Sequence, residues 1–140
     1  MAIAKRLERR NALVTGAGSG IGRAIALRFS EEGAWVACVD RDLATAEKVA
    51  ASLEYGGIGI RADGSSEEDV LAAISCVIRE QRKLHTVVNS AGIAGPQNPV
   101  GTTPLDEWRR TIEVNLTGTF LICKHSLPML ILTQGNIVNV

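Results

Sequence analysis

Short apolar runs alternate along the chain with longer segments in which apolar residues recur every three or four positions. The short runs predict buried parallel strands, and the longer segments predict helices that cover a sheet. The predicted strands lie at 12–15, 34–40, a weaker run ending near 63, 86–89 and 136–140. This alternation predicts an α/β fold with one doubly wound parallel sheet of about five strands and helices on both faces.

The first and last predicted helices carry the clearest signals for packing and for helix ends. In the first, 23–31, the spacing i, i+3, i+4, i+8 predicts an inward face, formed by Ile21, Ala24, Ile25 and Phe29. The last runs from 104 towards 130, with Thr103 as a predicted cap and Pro104 in the first turn. Pro128 is expected to kink or end it.

Composition limits the classes of protein that fit. At 140 residues with 46% hydrophobic residues, the chain is predicted to fold as one domain, 1–140. Its formal net charge of zero argues against a nucleic-acid partner. We also expect no membrane span, because no run approaches about 18 apolar residues. The basic residues of the N-terminal flank, 5–10, are expected to be solvated.

Cysteine and histidine usage points to a reducing compartment and to no metal. The three cysteines are far apart and have apolar neighbours, which is typical of small buried hydrophobes and not of disulfides. The two histidines are isolated, so we expect no metal site. We therefore expect a cytoplasmic protein.

A glycine-rich stretch, Thr15-Gly16-Ala17-Gly18-Ser19-Gly20-Ile21-Gly22, lies between the first strand and the first helix. Glycines there allow a sharp turn and a close approach of backbone to a pyrophosphate at the helix N-terminus. The spacing G-x-G-x-x-G fails because Arg23 stands at its last position, whereas T-G-x-x-x-G-x-G is satisfied. The stretch predicts a dinucleotide site; the alternative is a tight structural turn.

Polar residues end several predicted strands at the edge where parallel sheets bind ligands. Asp40 follows Gly20 at the sequence spacing that places an acid where it accepts hydrogen bonds from the ribose of a dinucleotide. The alternative is that Asp40 caps the next helix. Asp63 has the same two interpretations. Asn89 either faces the ligand or satisfies buried backbone groups near the end of its strand.

Three further motifs strengthen an identification. Together with the glycine stretch, Asn89-Ser90-Ala91-Gly92 resembles the N-N-A-G motif of the short-chain dehydrogenase/reductase family, with Ser90 in place of the second Asn. Asn115 matches the helix asparagine of that family's catalytic Asn-Ser-Tyr-Lys set. The final stretch 135–140 is similar to the strand G-x-I-V-N that leads to the catalytic serine.

This resemblance implies a Rossmann-type sheet of order 3-2-1-4-5 and a nicotinamide cofactor. It also implies hydride transfer to or from a small-molecule alcohol or carbonyl substrate, and a homo-oligomer. Asn115 is then the catalytic residue present. The expected cofactor-binding residues are Thr15, Gly16, Ser19, Gly20, Ile21, Gly22, Asp40, Arg41, Asp63, Asn89, Ala91 and Gly92. We expect NAD over NADP, because Asp40 would repel a 2′-phosphate and Ser19 is neutral, although Arg41 could offset part of the repulsion.

The chain departs from the family pattern in its catalytic groups. The family uses a serine and a Tyr-x-x-x-Lys pair, but the only tyrosine is Tyr55, and Gly59 stands where the lysine would be. We therefore expect the cofactor-binding portion of an oxidoreductase, truncated after the fifth strand and inactive alone. A nucleotide-binding module without chemistry and an unstable truncated product remain alternatives.

Overall fold

The computed structural model describes residues 5–140, and they form a five-stranded sheet with flanking helices. The strands are β1 Asn11–Thr15, β2 Trp35–Asp40, β3 Gly57–Arg61, β4 Thr86–Asn89 and β5 Asn136–Asn139. The helices are α1 Gly20–Glu31, α2 Leu43–Ala51, α3 Glu67–Gln81, α4 Leu105–Ile112 and α5 Gly118–Thr133. A 3-10 turn, Val100–Thr102, precedes α4, and a π-helical segment, Glu113–Thr117, joins α4 to α5.

All pairings in the sheet are parallel, and the strand order is β3-β2-β1-β4-β5. This confirms the predicted Rossmann-type topology. The chain winds outward in one direction through β2 and β3 and in the other through β4 and β5, so the order reverses between β1 and β4. The crevice beyond the carboxyl ends of these two strands is where such sheets bind ligands.

Two apolar layers hold the helices on the sheet. One face of the sheet presents Val14, Val36 and Val88 to α1 and α2, and Ala26 and Ala46 are buried there. The opposite face packs on α3 and α5, with the core residues Leu13, Val87, Val70, Val77 and Leu121. Because strands buried on both faces need apolar residues at successive positions, β1, β2 and β4 appear in the sequence as continuous apolar runs.

The predicted inward face of the first helix is right for two of its four residues, since Ile25 and Phe29 pack against the core. Helix α1 begins at Gly20, earlier than expected, and buries Gly22, Ala26 and Ser30, whereas Ile21 is 62% exposed and Ala24 is also exposed. The reason is backbone packing: a Cβ at Gly22 would overlap the carbonyl oxygen of Gly16. That contact turns the helix so that Ile21 points away from the core.

The last predicted helix forms, but its ends differ from the sequence expectation. No side chain caps α4, since the Thr103 hydroxyl donates to the carbonyls of Asn98 and Pro99 in the preceding loop. Pro128 does not end α5, which continues to Thr133.

The long helix from Leu105 to Thr133 has the length and composition of a membrane-spanning helix. Its most apolar 18-residue window has a mean hydropathy of 1.3 and is 28% buried. A single helix of this kind does not by itself indicate a membrane span, since core helices of soluble proteins share its length and apolar composition. Here Leu121, Ile122 and Leu130 pack into the core beside α3 and β4.

Most basic side chains of the N-terminal flank are exposed, as predicted, and the flank is also attached to α1. The backbone N–H of Leu7 donates to the Glu32 carbonyl at 2.8 Å, and the Arg6 guanidinium donates to the Glu32 carboxylate at 2.7 Å. Arg28 contacts the same carboxylate. The side chain of Glu32 is largely buried between these two arginines.

The three cysteines are free thiols. Cys38, in β2, is fully buried, and burial raises the pKa of its thiol to about 12. Cys76 and Cys123 are partly buried.

Candidate cofactor-binding site

A cleft of about 500 Å³ opens beyond the carboxyl ends of β1, β2 and β4, where the strand order reverses. All twelve residues that the sequence predicts for cofactor binding line it. They come from the glycine-rich turn after β1, the end of β2, the end of β3 and the turn after β4. The parallel register brings these separate turns to one edge of the sheet.

The glycines of the turn have different physical roles. Gly16 has a φ of +64°, and a Cβ there would lie 2.9 Å from the Ala91 Cα, so both backbone shape and close packing require glycine. Gly20 has a φ of +53°, but a Cβ there would meet nothing within 4 Å. The space above Gly20 therefore belongs to the cleft and is free for a ligand.

The N-terminus of α1 opens into the same space. Ser19, the cap residue, is extended and makes no side-chain hydrogen bond to the first turn. The first N–H groups of a helix have no intrahelical acceptors, and the helix dipole favours an anion near them. This end of α1 has the chemistry to bind a phosphate.

Thr15 connects the ends of β1 and β4. Its hydroxyl accepts hydrogen bonds from the backbone N–H groups of Ser90 and Ala91, both at 3.1 Å, and lies 3.4 Å from the Val88 carbonyl. Thr15 is buried beneath the cleft floor. Its hydroxyl thus fixes the turn after β4 against the glycine-rich turn.

The carboxylate of Asp40 lies between two turns. One oxygen, Oδ2, accepts the Gly18 N–H at 2.9 Å, and the other, Oδ1, accepts the Asp42 N–H at 3.1 Å. The cap of α2 is instead Asp42, whose carboxylate accepts the Thr45 N–H at 3.3 Å. Asp40 is therefore not the cap of α2, and it is one of the residues that line the cleft.

Asp63 forms part of a polar group at the end of β3. Its Oδ1 accepts both the backbone N–H and the hydroxyl of Ser65, at 3.0 and 2.6 Å. These hydrogen bonds, and secondarily the Arg110 guanidinium 3.8 Å from Oδ2, lower the pKa of Asp63. Helix α3 is capped by Ser66, so Asp63 is an anion at the cleft wall and not a helix cap.

Asn89 is only 4% exposed, at the end of β4. Its amide nitrogen donates to the side chain of Asn139 at 2.9 Å and lies 3.4 Å from the Cys123 sulfur. Its side-chain contacts are therefore with other side chains, not with the backbone groups that the sequence interpretation considered. The amide oxygen Oδ1 is buried and has no hydrogen-bond partner within the described part of the chain.

Asn115 lies in the π-helical segment and anchors the loop that follows β4. Its Oδ1 accepts the Ile93 N–H at 2.9 Å, and its Nδ2 donates to the Ile93 carbonyl at 3.0 Å. A π-bulge in a helix often marks a functional position. Asn115 itself is not among the lining residues, whereas Ile93 is. The catalytic role of Asn115 stays a prediction.

Sequence reasoning missed one wall of the cleft. This wall is a helical stripe of residues four apart, Arg110, Val114, Gly118 and Ile122. Periodicity could have identified a common face for them. Periodicity could not show that this face meets the cleft. The stripe contains a cation and a glycine among apolar residues, so its composition is typical neither of a buried core face nor of a binding surface.

Other chemical groups lie away from this edge of the sheet. Tyr55 precedes β3, near the opposite ends of the strands, and its ring lies 4.8 Å from the Lys5 ammonium group. Within residues 5–140, no cluster of three or more His, Cys, Asp or Glu side chains could hold a metal ion. No tyrosine or lysine in this range lines the cleft.

The geometry agrees with comparisons to known proteins. The family model described as short chain dehydrogenase matches residues 10–140. The chain belongs to the short-chain dehydrogenase family. The crystal structure of an NAD+-bound xylitol dehydrogenase superposes with a TM-score of 0.92 at 35% identity, over 96% of this chain and 53% of that protein.

Two curated relatives of the family show the same extent of similarity. The chain is 38% identical to L-fucose dehydrogenase of Oryctolagus cuniculus, over 100% of this chain and 49% of the relative. It is 41% identical to 2-(S)-hydroxypropyl-CoM dehydrogenase 3 of Xanthobacter autotrophicus, over 98% of this chain and 55% of the relative. The chain thus spans about half the length of the curated relatives it matches.

Proposed function

We propose that this chain is the cofactor-binding portion of an NAD-dependent oxidoreductase, which moves a hydride between the nicotinamide and an alcohol or carbonyl carbon. One observation carries the proposal. The open space above Gly20, at an uncapped helix N-terminus, lies in the cleft that Asp40 also lines. A pyrophosphate and a ribose need these two features side by side. The NAD+-bound xylitol dehydrogenase adds support as a relative of similar fold.

The residues of the cleft fit a dinucleotide in their chemistry. The first N–H groups of α1 would hold the pyrophosphate, and the Asp40 carboxylate would accept hydrogen bonds from the adenosine ribose. Asp63, held as an anion by Ser65, would lie beside the base. When bound, the nicotinamide would supply the hydride donor or acceptor. Asn115 holds the loop at Ile93, which borders the site.

The preferred cofactor is NAD. The 2′-phosphate of NADP would place negative charge beside the Asp40 carboxylate, which is already fixed at the cleft by two backbone N–H groups. Ser19 offers no compensating cation. Arg41 lines the cleft nearby and reduces the repulsion without removing it.

The chemical step needs groups that residues 5–140 do not bring to the cleft. Family members use a serine and a Tyr-x-x-x-Lys pair, and Tyr55 is remote from the cofactor site. The 140-residue chain should therefore bind cofactor without turnover. We place the protein in the cytoplasm, with a small-molecule alcohol or carbonyl substrate and a homo-oligomeric assembly.

The test is calorimetric binding of NAD to the parent and to Gly20→Ala. A Cβ at this position fills the phosphate space, so the affinity should fall by at least about tenfold. Gly56→Ala is the matched control: Gly56 also has a positive φ, +80°, and lies between α2 and β3, so it has a similar backbone cost of about 1–2 kcal/mol away from the cleft.

Equal NAD affinity for Gly20→Ala and the parent, or no NAD binding by a folded parent, would overturn the proposal. The same preparations should form no NADH with a panel of alcohols. Turnover that Asn115→Ala abolishes would instead favour catalytic groups within this chain.

A further inference from the structure

We propose that Gly18 is a positioning residue for the Asp40 carboxylate and thereby sets the preference between NAD and NADP. The glycine is unusual because its backbone does not require it. Gly18 has no positive φ, in contrast to Gly16 and Gly20 of the same turn. A side chain would be excluded only by its surroundings. The inference rests on the proposed function, because it concerns how the same site distinguishes two cofactors.

Those surroundings are the acid and one neighbour. A Cβ on Gly18 would lie 2.9 Å from Asp40 Oδ2 and 3.0 Å from its Cγ, and still closer to the Thr45 hydroxyl. The Thr45 hydroxyl donates to the Asp42 carbonyl at 3.0 Å, in the turn after β2. The bare backbone of Gly18 therefore lets the glycine-rich turn lie directly on the turn that carries Asp40.

This contact orients the carboxylate before any ligand arrives. The Gly18 N–H donates to Oδ2 at 2.9 Å, and the Asp42 N–H donates to Oδ1 at 3.1 Å. One donor comes from each turn, so both rotation of the carboxylate and its distance from the phosphate-binding helix are restrained. Each oxygen keeps a lone pair for a ribose hydroxyl. Hydrogen bonds to a charged group are stronger than those between neutral groups.

Displacing the carboxylate should affect the two cofactors in opposite ways. NAD loses a preoriented acceptor for its ribose, so its affinity falls. NADP loses a nearby negative charge that repels its 2′-phosphate, so its affinity holds or rises. A purely structural defect in the turn would weaken both cofactors together.

The experiment measures Kd for NAD and NADP in the 140-residue chain and in Gly18→Ala, at fixed ionic strength. We expect the ratio of NAD to NADP affinity to fall on the order of tenfold in Gly18→Ala. Gly101→Ala is the control, since a Cβ there meets nothing and the residue lies outside the cleft. Its ratio should equal that of the parent.

A double-mutant cycle assigns the effect to Asp40. In an Asp40→Ser background, Gly18→Ala should change the ratio little, because the group it positions is gone. Thr45→Ala should leave the ratio near that of the parent, because it keeps the bond between Gly18 and Asp40. An unchanged ratio in Gly18→Ala, or an equal change in both backgrounds, overturns the inference. Failure of a folded parent to bind NAD overturns the proposed function instead.

A second measurement avoids substituting Gly18. The amide proton of Gly18 should exchange slowly with solvent in the parent and at least about tenfold faster in Asp40→Ala, which has no side-chain acceptor. Fast exchange in the parent, or no response to Asp40→Ala, would overturn the inference even if Gly18→Ala did not fold.

Discussion

Single residues at the cleft divide into those that shape it and those that face a ligand. Some residues make contacts within the protein: Thr15 and Gly16 contact the turn after β4, and Gly22 packs against Gly16 within the glycine-rich turn. Gly20 and Ser19 leave their side of the cleft open. A substitution at the first group should cost stability, whereas one at Gly20 should cost chiefly cofactor affinity.

Asp40→Ser tests cofactor choice at the residue scale. Two negative unit charges about 4 Å apart, such as the Asp40 carboxylate and a 2′-phosphate, repel each other by roughly 4 kcal/mol at an effective dielectric of about 20. Solvent exposure and salt reduce this, so we expect the parent to prefer NAD by about 1–3 kcal/mol, on the order of 10- to 100-fold in affinity. Asp40→Ser should lose most of that preference.

Both cofactors are to be titrated into parent and variant at one ionic strength. Serine keeps a hydroxyl that can hydrogen-bond to a ribose but removes the negative charge. The substitution therefore separates hydrogen bonding to the ribose from repulsion of the 2′-phosphate. A parent that binds both cofactors equally, or an unchanged preference in Asp40→Ser, would show that Asp40 has no part in ribose recognition.

At the scale of elements, the N-terminal flank is attached to the end of α1 through Glu32. The hydrogen bond from the Arg6 side chain, followed by that from its backbone N–H, lowers the pKa of Glu32 to about 2, with Arg28 contributing. The ordinary pKa of this group is 4.5. Since the folded state holds the carboxylate more strongly ionised, Glu32 stabilises the fold above pH 4.5, and this contribution is lost as the pH falls towards about 2.

Glu32→Gln should therefore reduce the free energy of unfolding near neutral pH and have a smaller effect at about pH 3. Urea unfolding at both pH values measures the difference between parent and variant. Glu31→Gln is the control, because Glu31 is exposed and its carboxylate pairs only with Arg28 among residues 5–140. A difference between parent and Glu32→Gln that does not shrink in acid would contradict this assignment.

At the scale of the whole molecule, the main feature is apolar surface that residues 5–140 leave exposed to solvent. The long helix carries an exposed stripe, Leu105, Trp108, Ile112, Leu116, Phe120, Leu127 and Ile131. β5 pairs only with β4, so its other edge is free of strand partners in the described part of the chain. Large apolar patches and open strand edges both favour association.

We expect the 140-residue chain to self-associate, and light scattering at high concentration measures this directly. Phe120→Glu should lower the apparent mass, because Phe120 is 58% exposed in the middle of the stripe. Leu43→Glu, at an exposed leucine of α2, is the control and should leave the mass unchanged. A monomeric parent would contradict the expectation, and association that persists in Phe120→Glu would point to the edge of β5.

Local sequence determined the elements, and the family resemblance carried by its motifs supplied the order of the sheet. Continuous apolar runs mark strands that are buried on both faces, helical periodicity marks the covering helices, and glycine spacing marks the turn after β1. Because parallel strands end at one edge, the polar residues at those ends could be assigned to a common site, and all twelve line one cleft. These properties depend on neighbours along the chain or on a topology that a few motifs specify.

Tertiary structure decided the contacts between those turns. The face that α1 buries depends on how closely Gly22 approaches the Gly16 carbonyl, and the part played by Gly18 depends on the carboxylate of Asp40 from the next turn. The amide of Asn115 meets the backbone of Ile93, and Arg110 reaches Ser65, across long sequence separations. Such contacts follow from distances of a few ångströms between segments, which periodicity and spacing do not encode.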